Sequence, residues 1–267
     1  MIPNVLSIAG SDPSGGAGIQ ADIKAISANG AFAMAALTAL TAQNTLGVTG
    51  IHLVPHDFVG KQIDAVFADV QVHAVKIGMI ATADIAVTLG NSLQRWTGIP
   101  LVLDPVMIAK CGGALLQPDA VISLRDVLLP LATVLTPNLP EAAHLLGTDT
   151  ATTRDQMVEQ GKALCARGPK AVLMKGGHLG GPDSPDCLVA RHSVIWIEGA
   201  RTPTSNTHGT GCTLSSALAA QLAKGKTISS AAAAAKSYVT DAIANAGALT
   251  VGTGHGPTHH FASLYSN

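Results

Sequence analysis

Short apolar runs rich in branched side chains alternate with longer amphipathic stretches along most of the chain, and this alternation restricts the fold more than any other feature. Strands separated by helix-length segments pair in parallel, because each connection crosses back over the sheet before the next strand begins. The apolar runs predict strands from Val5 to Ala9, Ala33 to Thr41, Ala74 to Ile77, Leu101 to Leu103, Thr133 to Leu135 and Ala171 to Met174. Helical patterns lie between them, from Ala17 to Asn29, Pro55 to Ala68, Ala83 to Trp96, Pro118 to Leu128, Leu139 to Leu146 and Arg154 to Arg167. The texture then changes: "CLVARHSVIWIEG" reads as an antiparallel pair at a sheet edge. Two alanine-rich helices, about Gly209 to Lys224 and Ile228 to Ala246, close the pattern. With no internal repeat and no long linker, the 267 residues read as one α/β domain with a mostly parallel central sheet.

Composition narrows the function. Sixteen basic residues stand against seventeen acidic ones, a net charge of −1, without a basic stretch to track a phosphate backbone, so nucleic acid is not an expected partner. The longest apolar stretch, Ala31 to Ala42, is interrupted by threonines and falls short of the ~20 residues a spanning helix needs, so it reads as buried strand and no membrane partner is expected. The N-terminus lacks the positive region and cleavage site of a signal peptide, which leads to the expectation of a cytoplasmic protein. Cys111, Cys165, Cys187 and Cys212 show neither C-x-x-C nor zinc-type spacing and read as reduced thiols.

The glycine-rich stretches fall at the carboxyl ends of predicted strands, where open α/β sheets bind ligands. In "IAGSDPSGGAGIQAD", Gly16, Gly18 and Ala21 fit G-x-G-x-x-A, but no acidic residue follows at the distance a dinucleotide ribose requires, and no lysine makes it a Walker A loop. A tight strand-to-helix turn and a close backbone approach to a small ligand both remain open. "ALTAQNTLG" ends a predicted strand on Gln43, whose amide offers the donor and acceptor that an aminopyrimidine edge would take, although turn chemistry fits as well. Asp104, in "VLDPVMIAKCGG", ends another strand before an extended turn into glycines, where it would bind magnesium or make an Asx-type turn.

Asn138 and Glu141 stand three apart at a helix start, a spacing that serves a capping box as readily as a shared site. Lys175 leaves a buried strand ahead of two glycines, placed either to meet phosphate as a point charge or to sit solvated at the edge. In "NTHGTGCTLSSALAA", a glycine turn opens a helix whose N-terminal amides and peptide dipoles favour an anion, and the same field is expected to favour the Cys212 thiolate. A nucleophile, a general base and a small buried residue are all readings of that cysteine. His208 lies nearby, but nothing evident orients it as the partner a cysteine hydrolase needs.

Taken together, "AGSDPSGGAGIQADIK", "TALTAQNTLGV", "KIGM", "LDPVM", "TPNLPEA", "LMKGGH", "NTHGTGCTLSSALAA" and "GHGPTHHF" resemble the hydroxymethylpyrimidine/phosphomethylpyrimidine kinases, the thiamine-pathway branch of the ribokinase superfamily. The resemblance runs from about Ile2 to Phe261. It implies a ribokinase-like three-layer α/β/α sandwich, magnesium-dependent transfer of the γ-phosphoryl group of ATP, and a homodimer. It assigns Asp22, Gln43, Met79 and Val106 to the pyrimidine pocket. It gives Asn138 and Glu141 to magnesium and phosphate, Lys175 to the ATP phosphates, and Asp104 to the metal. Gly209, Thr210 and Gly211 match the anion hole, and Cys212 stands where the superfamily's sugar kinases carry an aspartate base, so it is expected to take the proton of the acceptor hydroxymethyl group. Gly180 to Pro185 is expected to belong to a mobile flap over ATP. Pyridoxal kinases share the architecture, and a non-catalytic pyrimidine-binding protein on the same fold is a further alternative. The end of the chain soon after "GHGPTHHF" leads to the expectation that no thiamine phosphate synthase is fused to it.

Overall fold

The computed structural model describes residues 1–107 and 117–265; the glycine-containing turn expected after Asp104, with Cys111, lies outside the described residues. The chain runs β1 (Asn4–Ala9), α1 (Gly18–Ala28), β2 (Phe32–Leu37), β3 (Ala39–Asn44), β4 (Gly47–Leu53), α2 (His56–Asp69), β5 (Ala74–Ile77), α3 (Ala83–Leu93) and β6 (Leu101–Leu103). It continues with α4 (Pro118–Ser123), β7 (Val134–Leu135), α5 (Leu139–Leu146), α6 (Arg154–Cys165), β8 (Ala171–Met174), β9 (Asp186–Ala190), β10 (Ser193–Ile197), α7 (Thr210–Ala223) and α8 (Ile228–Ala244). A π-helical turn, Leu124–Leu128, prolongs α4 over the rest of the helix expected to Leu128.

The main sheet has the order β10-β9-β8-β7-β6-β5-β1-β2. Pairing is parallel from β2 through β8 and antiparallel only where the edge pair β9 and β10 joins. Side chains alternate between its faces and both faces are covered, so its interior strands are largely apolar, with Ser7 in β1 and Lys76 in β5 as buried polar exceptions. Leu6, Ile8, Val75, Ile77, Leu103 and Val172 face one apolar cluster, shared with α2 to α6. Val5, Ala74, Val102, Val134 and Leu173 face a second, shared with α1, α7 and α8. The result is the expected three-layer α/β/α sandwich with a mostly parallel central sheet. Among the described residues no helix is long and apolar enough to cross a membrane.

One expected element is corrected. The strand from Ala33 to Thr41 is two strands in two sheets, β2 in the main sheet and β3 in a separate antiparallel ribbon with β4. The chain leaves the main sheet at Thr38, whose N–H bonds Ala9 and whose hydroxyl donates to the Met79 carbonyl at 2.7 Å. The Ala31 to Ala42 stretch is also not a buried strand. As an edge strand β2 is covered on one side only, which leaves Phe32 60 % exposed, and the ribbon shows Leu40, Leu46, Ile51 and Leu53 to solvent.

Candidate active site

The turns that follow β1, β6 and β8 meet the start of α7. Gly209 takes φ 77°, a left-handed conformation that glycine adopts without a Cβ penalty. It starts α7 without a side-chain cap, so the first amides of the helix have no cap acceptor and form a ready site for an anion. The fit against the β1 turn is close: a Cβ on Gly209 would lie 1.8 Å from the Gly16 carbonyl oxygen, and one on Gly18 would lie 2.4 Å from that of Gly10. Gly16 therefore meets the start of α7 while Gly18 tightens the β1 turn on itself, which favours the turn over a dinucleotide fingerprint.

Lys175 is the cation of this site. Its Nζ donates to Asp104 Oδ1 at 2.9 Å and lies 3.7 Å from Glu141 Oε2. A Cβ on Gly211 would lie 3.3 Å from that Nζ, so the helix start and the lysine face the same space. Burial works against the lysine's charge, but Asp104 and Glu141 hold its proton affinity above the ordinary value. Asp104 is 1 % exposed and also accepts from Ser215 at 3.1 Å and Thr136 at 3.3 Å. Burial opposes its charge, yet Lys175 and Lys76 keep its carboxyl below the usual range. Glu141 differs: burial pushes its pKa up to about 7 despite Lys175.

The two readings of Asn138 and Glu141 both hold. The Asn138 side chain accepts from the Glu141 N–H at 2.8 Å, and Glu141 Oε2 accepts from the Asn138 N–H at 2.8 Å, a complete capping box at the start of α5. The same carboxylate faces Lys175.

Around the acceptor side, a β-bulge between Ala42 and Gln43 re-aims Gln43 at the tip of the ribbon. Its Oε1 accepts from Thr41 at 3.2 Å, and its Nε2 stands 3.5 Å from His208 Nε2. That histidine nitrogen is 2.7 Å from Asp12 Oδ2, which requires it to carry the proton and donate to the carboxylate. The Gln43 amide therefore finds no acceptor in His208, and its own protons remain for a ligand. Burial opposes the Asp12 charge, but the bonds from His208 and Ser14 hold its pKa below normal. Met79 is buried against Gly10, where a Cβ would lie 2.2 Å from its Cε. Val106 is half-buried just beyond Asp104.

Two expectations change. Asp22 does not offer a free oxygen to a pyrimidine pocket: it is 0 % exposed, with Lys76 bonded to both oxygens at 2.8 Å, Ser7 at 2.6 Å and Ser216 at 2.7 Å. The cause is Lys76, a lysine in an interior strand that requires a countercharge. Nor is the Cys212 thiolate favoured. The thiol is half-buried, and burial raises its pKa to about 11 against the pull of Lys76, so the thiol is the resting form near neutrality. His208 faces Asp12, an arrangement unlike a cysteine–histidine pair.

The stretch expected as a flap, Gly180 to Pro185, is bonded to two cations. Arg201 donates to the carbonyls of Gly177, Leu179, Gly181 and Asp183, and Lys236 donates to that of Ser184 at 2.7 Å. Lys76, Asp12, Ser215 and Ser216 received no role from the sequence. Lys76 alone carried a signal, a charge inside the otherwise apolar strand "AVKI". Among the described residues no cluster of three or more His, Cys, Asp or Glu is arranged to cage a metal ion. Asp104 and Glu141 beside the anion turn are two carboxylates, a donor set that would suit a magnesium ion keeping most of its waters rather than one caged by protein.

Comparison with known proteins agrees with this geometry. A family model described as Phosphomethylpyrimidine kinase matches residues 12–259. A hydroxymethylpyrimidine/phosphomethylpyrimidine kinase of Escherichia coli (strain K12) is 51 % identical over 97 % of this chain and 97 % of that protein. Among solved structures, a Bacillus subtilis pyridoxal kinase in complex with ADP superposes with a TM-score of 0.92 at 36 % identity, over 100 % of both chains. A phosphomethylpyrimidine kinase of Clostridium difficile 630 superposes with a TM-score of 0.80 at 43 % identity, over 90 % of this chain and 99 % of that one.

Proposed function

The chain belongs to the phosphomethylpyrimidine kinase family, and from that premise we propose that it phosphorylates 4-amino-5-hydroxymethyl-2-methylpyrimidine with ATP, first to the monophosphate and then to the diphosphate, in thiamine diphosphate biosynthesis. The observation that supports this most strongly is the meeting of an uncapped helix start, Lys175, Asp104 and Glu141 in one space. Phosphoryl transfer asks a protein mainly for position and for positive charge around the moving group, and these residues supply both.

In this reading the amides of Gly209, Thr210 and Gly211 hold the γ-phosphoryl oxygens. Lys175 meets the same phosphates, with Asn138 holding Glu141 in place through the capping box. Magnesium, when bound through Asp104 and Glu141, neutralises phosphate charge. Gln43 reads the ring edge with its spare amide protons, Met79 and Val106 cover the ring faces, and Cys212 takes the hydroxyl proton in the first transfer. Asp22 supports the site from below without touching the ring. The whole chain, residues 1–267, acts as one ribokinase-like kinase domain in the cytoplasm. It works as a homodimer, to which the exposed apolar ribbon of β3 and β4 offers a face.

A second reading, a pyridoxal kinase, is favoured by the superposition on the Bacillus subtilis enzyme over the full chain. One set of assays separates the readings: ATP consumption by the purified protein with hydroxymethylpyrimidine, its monophosphate and pyridoxal. The expected order of kcat/KM puts both pyrimidines above pyridoxal. A higher value for pyridoxal selects the second reading, and turnover of none of the three leaves a binding protein.

A further inference from the structure

Lys76 is fully buried; in the site as described so far it binds Asp22 and helps to keep Asp104 charged. Burial works against its charge, yet Asp22, Cys212 and Asp104 together hold its proton affinity above that of an ordinary lysine. Alternation along β5 turns Lys76 to the face opposite Val75 and Ile77, which places it under α1 and α7. There Asp22 of α1 receives both of its contacts, at 2.8 Å. Ser216 of α7 donates to the same carboxylate at 2.7 Å, and Cys212 precedes Ser216 by four residues, so the two share one face of the helix. Gly78 leaves room for the ammonium: a Cβ there would lie 2.7 Å from Lys76 Nζ.

We propose that Lys76 is a positioning residue for proton transfer, its ammonium, anchored by Asp22, serving as the countercharge that stabilises the Cys212 sulfur as an anion. The inference rests on the reading that Cys212 is the base for the hydroxymethyl acceptor. In that step the thiolate accepts the hydroxyl proton while the acceptor oxygen bonds to the γ-phosphorus. The bond from that phosphorus to the bridging oxygen breaks, ADP leaves, and the sulfur ends as a neutral thiol. Lys76 keeps its own proton throughout. The other groups facing the sulfur are Asp22 from α1 and Asp104 after β6, which oppose the anion, Lys175 after β8, and the backbone of Gly18, which favours it. Of the groups that favour the anion, Lys76 pulls hardest.

The test is alkylation of the ligand-free full chain by iodoacetamide from about pH 7 to about pH 11, where thiolate is the reacting form. Peptide mass spectrometry separates Cys212 from Cys111, Cys165 and Cys187. In Lys76→Met the Cys212 profile moves to higher pH, slowing alkylation at a fixed pH about tenfold, the effect of one pKa unit. The Cys165 profile stays in place. Should Lys76→Met fail to fold with Asp22 left unpaired, the doubly neutral Asp22→Asn/Lys76→Met protein carries the test, with a smaller movement in the same direction. A Cys212 profile that does not move in the folded variant overturns the proposal. Failure of the base reading shows separately, as equal losses with both acceptors in Cys212→Ala, and leaves the thiol titration unaffected.

Discussion

Gly209 packs on Gly16 so closely that a Cβ on the first would stand 1.8 Å from the carbonyl oxygen of the second. More than two thirds of the chain separates the two residues, and their contact assembles the site. Gly209→Ala incurs the left-handed penalty of about 1–2 kcal/mol and in addition pushes the two turns apart. It is expected to lower Tm and raise the KM for ATP. Gly225→Ala is the control: φ is 82° there but nothing lies within 4 Å of the added carbon, so Tm falls while KM holds. Equal KM values in the two variants would count against the anion-turn reading.

Lys175→Met removes the charge proposed to meet the phosphates, and kcat should fall by ~10²–10³ if an oxyanion donor is a fair guide. The variant also leaves Asp104 buried without its nearest cation, so Tm falls as well. Adding Asp104→Asn is expected to recover Tm but not kcat. Recovery of both would reduce Lys175 to a structural partner.

Glu141→Gln retains a side chain able to complete the capping box, but loses the charge. The folded pKa of Glu141, about 7, lies above the 4.5 ordinary for a glutamate, so ionisation opposes folding. This group's contribution to stability is complete below about pH 4.5 and is lost as pH rises to about 7. The Tm difference, variant minus wild type, should therefore grow across that window in metal-free protein. A constant, negative difference together with normal magnesium dependence would leave capping as the only role of Glu141.

Cys212→Ala separates two acceptors. An alcohol must lose its proton as it attacks, and a base contributes ~10²–10⁴-fold. A phosphomonoester, with its second pKa about 6, is already an anion at neutral pH. Phosphorylation of hydroxymethylpyrimidine should fall far more than that of its monophosphate, and Cys212→Asp should restore part of the first activity. Because the thiol titrates at about 11 and only its deprotonated form accepts the proton, wild-type kcat with the alcohol should rise as pH increases from neutrality toward that value. The phosphate step should stay flat. The check is kcat for each acceptor at saturating magnesium ATP, and parallel profiles would remove the base role.

Gln43→Ala should raise the KM for the pyrimidine acceptor and leave that for ATP nearly unchanged, since Gln43 sits on the ribbon tip beside His208, away from Lys175. A shift confined to ATP would place the acceptor elsewhere.

The strands from Ala74 to Ile77, Leu101 to Leu103 and Ala171 to Met174 were legible because interior parallel strands are apolar runs bounded by polar turns. The break at Thr38 was not, since no glycine or proline interrupts the apolar stretch and the turn is fixed by bonds to Ala9 and Met79. In the site, glycines and Lys175 stood out by position at strand ends. Asp22 is assigned to the pyrimidine pocket by the resemblance alone; its partner Lys76 lies 54 residues away in sequence, and only the folded sheet joins them. The Cys212 field was misjudged for a similar reason: a helix start was visible, but the burial that outweighs it was not.

Ser215 and Ser216, adjacent on α7, bind different carboxylates, Asp104 and Asp22, at 3.1 and 2.7 Å. Together they fix the rotation of the helix about its own axis. An α-helix turns about 100° per residue, so inserting or deleting one residue between Cys212 and Ser215 would swing both hydroxyls off their partners while leaving the composition and helicity of the segment nearly intact. Point changes within α7 can be absorbed one at a time, whereas a change in its length would undo both anchors at once.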